Sequence, residues 1–319
     1  MARIAAAICT WNRYDVLPKA IESVAKQSLG KHEYKIFVID NSPDHDYCEE
    51  FGKQFAHIEN LEYVVEKIAG LSNARNVATR MCAEQGIDYI AYLDDDAIAR
   101  PEWLEKILEG FDSFGEEVDV VGGRVDPMWS MPRPRWLGPK LEGYVSIVNW
   151  GGELRLAEES EWFAGTNIAF RVDTLQVLGG FSTTLGRTGS GATLLSNEET
   201  QLLDRIKETG GKRVYHPDAA LDHLVEEKRL SRQWFRKRMA WQATSDFLMK
   251  AEECIEQCAG HWENILEYSA MVPPRERTLR GLMYDTDDAE LFHWQLSAIY
   301  GWNVLNLAGF EGVAEEEVA

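Results

Sequence analysis

The sequence lacks any apolar stretch that could cross a membrane, since no segment approaches the roughly 20 consecutive apolar residues that a membrane-spanning helix needs. It also lacks a secretory signal, because Met1-Ala2-Arg3-Ile4 leads directly into a strand-like pattern. We therefore expect a cytoplasmic protein, and a place at the inner face of the membrane stays open.

Cysteine is scarce. The chain has five cysteines, an odd number, and none of them forms a Cys-x-x-Cys pair. This pattern suggests neither a disulfide framework nor a zinc site. We expect reduced and mostly buried thiols at Cys9, Cys48, Cys82, Cys254 and Cys258.

Positive charge is also in short supply. The 319 residues include 33 Lys and Arg against 53 Asp and Glu, which gives a formal net charge of −20 at pH 7. Binding to nucleic acid independently of sequence relies on cations that neutralise phosphates, so we expect no nucleic-acid partner. A chain of this length can bury a large core, and it should form one sizeable domain with an appendage, or two domains.

Two phosphate-binding motifs are missing. No Gly-x-Gly-x-x-Gly follows the first strand-like segment, and no Gly-x-x-x-x-Gly-Lys-Ser/Thr loop occurs, which disfavours dehydrogenases and P-loop enzymes. The one glycine-rich stretch, Gly186 to Gly191, lacks the lysine. It is consistent with a mobile loop at the border of a site and equally with a plain surface loop.

Three consecutive aspartates, Asp94-Asp95-Asp96, directly follow the apolar run Ile90 to Leu93. This pattern predicts a buried parallel strand that delivers carboxylates to the edge of a sheet where α/β folds bind ligands. Three close acids need a cation, and oxygen ligands suit Mg²⁺ or Mn²⁺, which usually hold a substrate's phosphates. The alternative is a solvated acidic turn before a helix that begins near Pro101.

The first third of the chain alternates strand-like and helix-like patterns, which predicts a doubly wound α/β domain with a mainly parallel sheet. Ser72 is the predicted cap of the third helix. The strand ends carry Thr10 to Arg13, Asp40-Asn41 and the three aspartates, so we expect them to meet at one edge where a nucleotide can lie.

The later parts of the chain differ in character. Residues 124–162 are rich in proline and tryptophan, and aromatic rings suit the apolar faces of sugars. After His223 the pattern turns helical, and Ser231 to Trp241 combines basic and aromatic residues. That helix suits the phosphates of a ligand, an anionic lipid-linked molecule or a membrane surface, or else it is a solvated face with a buried aromatic side. Val313 to Ala319 form an acidic tail.

Several segments, in the right order over roughly residues 3 to 240, resemble family 2 glycosyltransferases. The amino-terminal segments are Ala7 to Arg13, Val38 to Ser42, Gly70 to Asn76, and Tyr92 to Asp96 followed by Pro101 to Leu104. The later ones are Phe163 to Asn167, Gly179 to Phe181, Asn197 to Glu199, and His216-Pro217 leading to His223. The combination is far more specific than any one segment.

The resemblance implies a GT-A type fold, α/β with a mainly parallel central sheet, and an inverting transfer from a nucleotide-activated sugar. It implies a glycosyltransferase domain over residues 1–228, with a nucleotide or donor half (1–123) and an acceptor half (124–228). Residues 229–319 would form a helical carboxy-terminal extension that ends in the acidic tail.

The resemblance also assigns site residues. Asp40 would hold the base, and Asp95 would reach the ribose or the donor sugar. A divalent cation, Mn²⁺ or Mg²⁺, would bind Asp94 and Asp96, the latter most directly, with His223 close by. The remaining donor-binding residues implied are Thr10, Arg13, Gly70, Asn73 and Arg75.

For catalysis, Glu199 occupies the second position of the family's paired-acid motif and is the predicted base, with Glu198 as the runner-up. Inversion needs a base that takes the proton of the acceptor hydroxyl on the face opposite the leaving group. The two glutamates also fit the first turn of a helix after an N-cap, where acids are favourable in any protein. The acceptor residues implied are Trp162, Gly165, Thr166, Asn167 and Glu198.

The predicted function is an inverting, metal-dependent glycosyltransferase that uses a UDP-, GDP- or dTDP-sugar. Its acceptor would be a glycan or a lipid-linked oligosaccharide in the synthesis of a bacterial surface polysaccharide. A peripheral membrane contact and a homo-oligomer are both compatible with the sequence. The alternatives are a sugar-phosphate nucleotidyltransferase, for which Thr10 to Arg13 lacks the glycine-rich basic loop, or a glycan-binding scaffold without turnover.

Overall fold

A computed structural model describes residues 2–115, 118–189 and 193–309, and over these residues the chain forms nine strands and ten α-helices. The strands are β1 (Arg3–Thr10), β2 (Glu33–Asp40), β3 (Leu61–Val65), β4 (Tyr89–Asp94), β5 (Ala97–Ala99), β6 (Val118–Trp129), β7 (Arg155–Leu156), β8 (Ile168–Arg171) and β9 (Lys212–Val225). The helices are α1 (Leu17–Ala25), α2 (His45–Gly52), α3 (Leu71–Glu84), α4 (Trp103–Ser113), α5 (Val172–Leu178), α6 (Glu198–Glu208), α7 (Arg232–Met249), α8 (Ala251–Glu256), α9 (Cys258–Met271) and α10 (Ala289–Ala308).

The strands form one sheet in the order β3-β2-β1-β4-β8-β6-β9-β5, with β7 beside β9. Strand β1 runs parallel to β2 and β4, and β2 runs parallel to β3. Strand β8 pairs antiparallel with β4 and β6, and β9 pairs antiparallel with β5 and β7. The predicted α/β class is confirmed, and the parallel pairing lies in the amino-terminal strands where strand and helix alternate in the sequence.

The pattern of apolar residues explains these elements. Every residue from Ile4 to Ile8 in β1 is buried, as expected for a parallel strand that is covered on both faces. In α1 the buried residues are Leu17, Ala20, Ile21 and Val24, which a helix places on one face. The same physical cause, burial of apolar surface, fixes both the sheet and the helix that covers it.

The start of α3 corrects one prediction. The helix begins at Leu71 with Gly70 as its N-cap, so Ser72 is not the cap. Gly70 has a φ of 141°, a backbone conformation that only glycine adopts without strain. The Ser72 hydroxyl instead donates a hydrogen bond of 3.1 Å to the carbonyl of Leu185.

The chain divides into two compact units. The first contains Met1–Met128, Ser146–Ala192 and Glu198–Leu224, and the second contains Trp129–Val145, Thr193–Asn197 and Val225–Ala319. Within the second unit, helices α7 to α10 confirm the predicted helical extension, and Trp136 packs edge-to-face against Phe235 and Phe292. The predicted acidic tail, Val313 to Ala319, lies outside the described residues.

Asn167 joins three elements in the interior of the first unit. Its side-chain oxygen accepts a hydrogen bond of 2.8 Å from Trp103 Nε1 on α4. Its side-chain nitrogen donates to the carbonyls of Arg124 on β6 (2.9 Å) and Ala219 on β9 (2.8 Å). The residue is 1% exposed, so its amide is used by the fold, and this interior position argues against the predicted contact with an acceptor.

Replacing Asn167 by alanine should lower the free energy of unfolding by roughly 3 kcal/mol or more, because three buried polar groups lose their partner. Urea unfolding followed by tryptophan fluorescence measures the change. Gln54→Ala is the control, since Gln54 is exposed and donates one hydrogen bond to the carbonyl of Phe51. A loss below about 1 kcal/mol, close to an ordinary surface substitution, would contradict the structural role of Asn167.

Candidate active site

Three parallel strands bring polar residues to one edge of the sheet. Strands β1, β2 and β4 end at Thr10, Asp40 and Asp94, and Thr10 is in register with Asp40 while Cys9 is in register with Asp94. The Thr10 hydroxyl donates a hydrogen bond of 2.7 Å to Oδ2 of Asp95. Thr10 and the acidic turn, both predicted for a ligand site, therefore lie in direct contact.

Asp94 and Asp96 of this turn form a cluster with His223 of β9, which we call the acidic cluster. Ligand atoms of Asp94, Asp96 and His223 all lie within 4.8 Å of one another. His223 is held by β9, where it is in register with Ala97 of β5, and its Nε2 lies 3.2 Å from Oδ1 of Asp96. Strand pairing thus brings together residues that are more than 100 positions apart in the sequence.

These residues fit a divalent cation. The two carboxylates suit Mn²⁺ or Mg²⁺, and the imidazole beside them is a common metal ligand. His223 is 1% exposed, and its Nδ1 has no hydrogen-bond partner within the described residues. Oδ2 of Asp96 forms an ion pair of 3.0 Å with Arg13, so the predicted donor-binding arginine lies beside the cluster.

Asp95 shows the electrostatic strain of the turn. Burial, followed by repulsion from Asp96, raises the pKa of Asp95 to about 8, although the hydrogen bond from Thr10 opposes the rise. A cation near the turn would offset the repulsion among the three acids. The turn is therefore an acidic site whose charge favours a divalent cation.

Both carboxylate oxygens of Asp40 accept hydrogen bonds from other groups of the protein. Its Oδ1 accepts hydrogen bonds from the Ser42 backbone N–H (3.1 Å) and hydroxyl (2.6 Å). Its Oδ2 accepts from the hydroxyls of Tyr14 (3.1 Å) and Tyr63 (2.5 Å). The residue is 0% exposed, so the predicted contact with a base requires one of these hydroxyls to move away.

Asn41, which the sequence predicts at the nucleotide-binding edge, organises the loop before α3. Its side-chain nitrogen donates to the carbonyls of Glu66 and Ile68, both at 2.7 Å. Its side-chain oxygen accepts from the backbone N–H of Gly70 at 2.7 Å, and Asn73 also donates to Ile68. The sequence signal for this role is the position of Asn41 directly after the end of β2. Gly70, the N-cap of α3, is thus fixed by Asn41, and Asn73 lies in the first turn of that helix.

Arg75, predicted to contact the donor, is buried at 3% exposure. Its Nη1 lies 2.9 Å from Oε1 of Glu198, and its Nη2 lies 3.8 Å from Oδ1 of Asp94. Burial lowers the pKa of Arg75, but the nearby carboxylates of Glu198, Glu199 and Asp94 outweigh burial and raise it overall. The guanidinium is therefore charged and links the acidic turn to α6.

The two glutamates at the start of α6 differ in environment. Glu198 is 4% exposed, whereas Glu199 is partly exposed. Burial, and then Glu199, raises the pKa of Glu198 to about 7, against the opposing effect of Arg75. Among the described residues, Oε2 of each glutamate has no hydrogen-bond partner. Glu198 is thus the more buried of the two, and Glu199 combines partial exposure with a carboxylate oxygen that has no partner among the described residues, which suits a general base.

Of the other predicted acceptor residues, Thr166 contacts the acidic turn. The hydroxyl of Thr166 accepts a hydrogen bond of 3.2 Å from the backbone N–H of Asp94. Gly165 is buried next to it. Trp162 is half-buried; its carbonyl accepts from Trp150 Nε1 at 2.8 Å, and the two rings meet edge-to-face at 6.2 Å. Trp162 therefore has a neighbouring aromatic ring that holds its position.

The glycine-rich stretch contacts the start of α3. The carbonyl of Arg187 accepts a hydrogen bond of 2.9 Å from the backbone N–H of Leu71. Ser190 and Gly191, the end of the predicted mobile loop, lie outside the described residues. The described part is thus attached to the helix that carries Arg75.

The basic and aromatic segment forms the first turns of α7 in the second unit. Arg232 pairs with Asp287, and Arg236 pairs with Asp285. Phe235 is fully buried, so the helix has the predicted buried aromatic side. No helix within the described part of the chain is long and apolar enough to cross a membrane.

Comparison with known proteins finds a family model and several relatives that match this chain. The family model described as Glycosyl transferase family 2 matches residues 6–163. Over 252 residues the chain is 28% identical to a glucosyl-dolichyl phosphate glucuronosyltransferase of Haloferax volcanii, covering 77% of each chain. Over 243 residues it is 26% identical to the succinoglycan biosynthesis protein ExoM of Rhizobium meliloti, covering 72% of this chain and 70% of that protein.

A solved structure has a similar fold. It is the mannosyltransferase PcManGT from Pyrobaculum calidifontis in complex with GDP-Man and Mn²⁺. The TM-score is 0.55 at 17% sequence identity, and the match covers 98% of this chain and 76% of that one. At this identity the likeness concerns the fold, and it agrees with the predicted GT-A type.

Proposed function

Because the chain belongs to glycosyltransferase family 2, we propose that it transfers a sugar with inversion, from a nucleotide-sugar donor to a hydroxyl of a glycan or lipid-linked acceptor. One observation carries the proposal. Arg75 lies between Asp94 of the acidic cluster and Glu198 of the glutamate pair, so that a cation site and a candidate base belong to one site.

Asp94, Asp96 and His223 would hold the divalent cation, Mn²⁺ or Mg²⁺. When bound, such an ion stabilises the negative charge of a departing nucleoside diphosphate. The chain's own residues orient this cluster, because Arg13 pairs with one oxygen of Asp96 and His223 lies beside the other. We propose that Arg13 also faces the donor's phosphates.

The donor's nucleoside would occupy the carboxyl edge of β1, β2 and β4. Thr10 fixes Asp95, which we propose accepts a hydrogen bond from a hydroxyl of the ribose or the sugar. Gly70 and Asn73 would border the nucleoside at the start of α3, where Asn41 accepts a hydrogen bond from the backbone N–H of Gly70. Asp40 would shape the nucleobase pocket through Tyr14 and Tyr63, whose hydroxyls donate hydrogen bonds to it.

Glu199 would act as the general base. It is the more accessible of the two glutamates, and its Oε2 has no partner in the described part of the chain. In an inverting reaction the base takes the acceptor's proton while the acceptor oxygen bonds to the anomeric carbon and the nucleoside diphosphate departs. Thr166, Gly165 and Trp162 would border the acceptor.

The names of two relatives support a proposal for the acceptor class. These names refer to a dolichyl phosphate-linked sugar and to succinoglycan. We propose a lipid-linked or growing glycan as acceptor, in surface polysaccharide synthesis at the cytoplasmic face of a membrane. Residues 1–123 would serve the donor and 124–228 the acceptor, with 229–319 as the helical extension.

The test is thermal stabilisation of the full chain by UDP, GDP, dTDP and CMP nucleotides, each with Mn²⁺ or with EDTA. A nucleotide present at about 100 times its dissociation constant should raise the melting temperature by about 5 °C or more, and only with Mn²⁺. The sugar nucleotides of the stabilising base are then assayed for hydrolysis and transfer. Stabilisation that is equal in EDTA would contradict metal dependence, and no stabilisation by any nucleotide would contradict the proposed donor class.

A further inference from the structure

Arg75 and Glu198 form an ion pair inside the first unit. Their side chains are 3% and 5% exposed, and the Nη1 to Oε1 distance is 2.9 Å. Nη2 of the same guanidinium lies 3.8 Å from Oδ1 of Asp94. A buried charge needs a partner, so removing either member of the pair leaves the other uncompensated.

The pair is held in place on several sides. The guanidinium lies 5.8 Å from the ring centre of Tyr92 and 5.3 Å from that of Phe181. Gly165 lies so close that a Cβ there would stand 2.5 Å from Nη2 of Arg75. A Cβ on Gly186 would stand 3.2 Å from Oε2 of Glu198, and Gly186 has a φ of 84°. Because both positions are glycine, the backbone at Gly165 and at Gly186 can pack directly against the ion pair.

The two oxygens of Glu198 have different partners. Oε1 faces Arg75, whereas Oε2 is buried and has no hydrogen-bond partner among the described residues. A buried acceptor without a donor is costly, and such groups in native proteins usually have a ligand or water as partner. Sugar hydroxyls are donors of the required kind. The guanidinium of Arg75 is already paired with Glu198 and Asp94, so Arg75 acts through these neighbours.

We propose that Arg75 is a positioning residue that holds Glu198 so that its Oε2 accepts a hydrogen bond from a hydroxyl of the bound sugar. The sugar is either the one being transferred or the acceptor's. This inference rests on the proposed function and assigns the recognition of a sugar hydroxyl to Glu198, which leaves Glu199 as the base. It replaces the predicted contact of Arg75 with the donor.

The test is a double-mutant cycle with Arg75→Lys, Glu198→Gln and the double variant, made in the full chain. Lysine keeps the charge beside Asp94 but cannot present two nitrogens in the guanidinium's geometry. Arg80→Lys is the control, since Arg80 is exposed on the same helix. Three quantities are measured: affinity for the nucleoside diphosphate with Mn²⁺, hydrolysis of the sugar nucleotide without acceptor, and transfer to acceptor.

Each single variant should lower kcat for transfer by about tenfold to a hundredfold, because the hydroxyl loses its oriented partner. Nucleoside diphosphate affinity should stay within about twofold, since neither side chain touches the nucleotide. The double variant should be no worse than the poorer single one. If hydrolysis falls together with transfer, the hydroxyl belongs to the donor sugar; if transfer alone falls, it belongs to the acceptor.

Three results would overturn the inference. Additive losses would show that Arg75 does not act through Glu198, and unchanged transfer would remove the role of both. A loss of nucleoside diphosphate affinity in Arg75→Lys would restore a direct donor contact. The wild type separates this inference from the proposed function, since a wild-type protein with neither metal-dependent nucleotide binding nor turnover would contradict that function first.

Discussion

Replacing Glu199 by glutamine should lower kcat for sugar transfer by about a thousandfold, within the range that general-base catalysis supplies. Glutamine keeps the size and the hydrogen-bonding capacity of the side chain but cannot take a proton. The nucleotide should bind as before, because the acidic cluster is unchanged. Initial rates over a series of donor and acceptor concentrations, with nucleotide affinity measured separately, check both statements.

Glu208→Gln is the matched control for this variant. Glu208 lies at the other end of α6 and is exposed, so the same loss of charge on the same helix should leave kcat unchanged. If Glu199→Gln retains more than about a tenth of the wild-type rate, Glu199 is not the base. Glu198, the runner-up, would then take that role, and a large loss of kcat in Glu198→Gln would identify it.

Replacing Asp96 by asparagine should weaken Mn²⁺ binding in the presence of nucleoside diphosphate by about a hundredfold or more, since changing even outer-shell partners costs up to that much. Asp96 contributes one of the two carboxylates of the cluster and holds both Arg13 and His223. Transfer should fall with metal binding. Electron paramagnetic resonance of free Mn²⁺ measures the affinity directly.

The Asp96→Asn substitution should change the melting temperature little although it lowers activity strongly. Asp96 is the largest neighbouring charge that raises the pKa of Asp95, so its neutralisation removes repulsion within the turn. We expect the metal-free Asp96→Asn protein to melt no more than a few degrees from the wild type, because the lost pair with Arg13 opposes this gain. A variant that has lost metal binding but keeps its fold would separate the two effects.

Asp222→Asn provides the control for Asp96→Asn. Asp222 directly precedes His223, but its carboxylate pairs with Arg100 at 3.0 Å instead of joining the cluster. The Asp222→Asn substitution removes the same charge from the same part of the sheet. Its Mn²⁺ affinity should nevertheless stay within about threefold of the wild type. Equal losses in both variants would indicate a general charge effect, and unchanged Mn²⁺ affinity in Asp96→Asn would contradict the assigned site.

Local sequence determined the elements and their chemistry. The apolar run before Asp94 was sufficient to predict strand β4 and the acidic turn, because a short buried strand reads as continuous apolar residues. The ordered motifs were sufficient to predict the family, which the comparisons confirm. The cap of α3 was missed, since side-chain preference favours serine whereas the backbone angle at Gly70 requires glycine.

Tertiary structure decided which of these residues meet, because contacts across long separations depend on strand order and packing. Pairing of β5 with β9 brings His223 to Asp96, and no local pattern encodes that register. The ion pair with Glu198 at the start of α6 holds Arg75 in the interior, where a motif alone suggested a ligand contact. Burial likewise made Asn167 part of the interior. The sequence by itself thus determined the chemistry available, and the fold decided where each charge could be paired, since pairing depends on distance and exclusion of water.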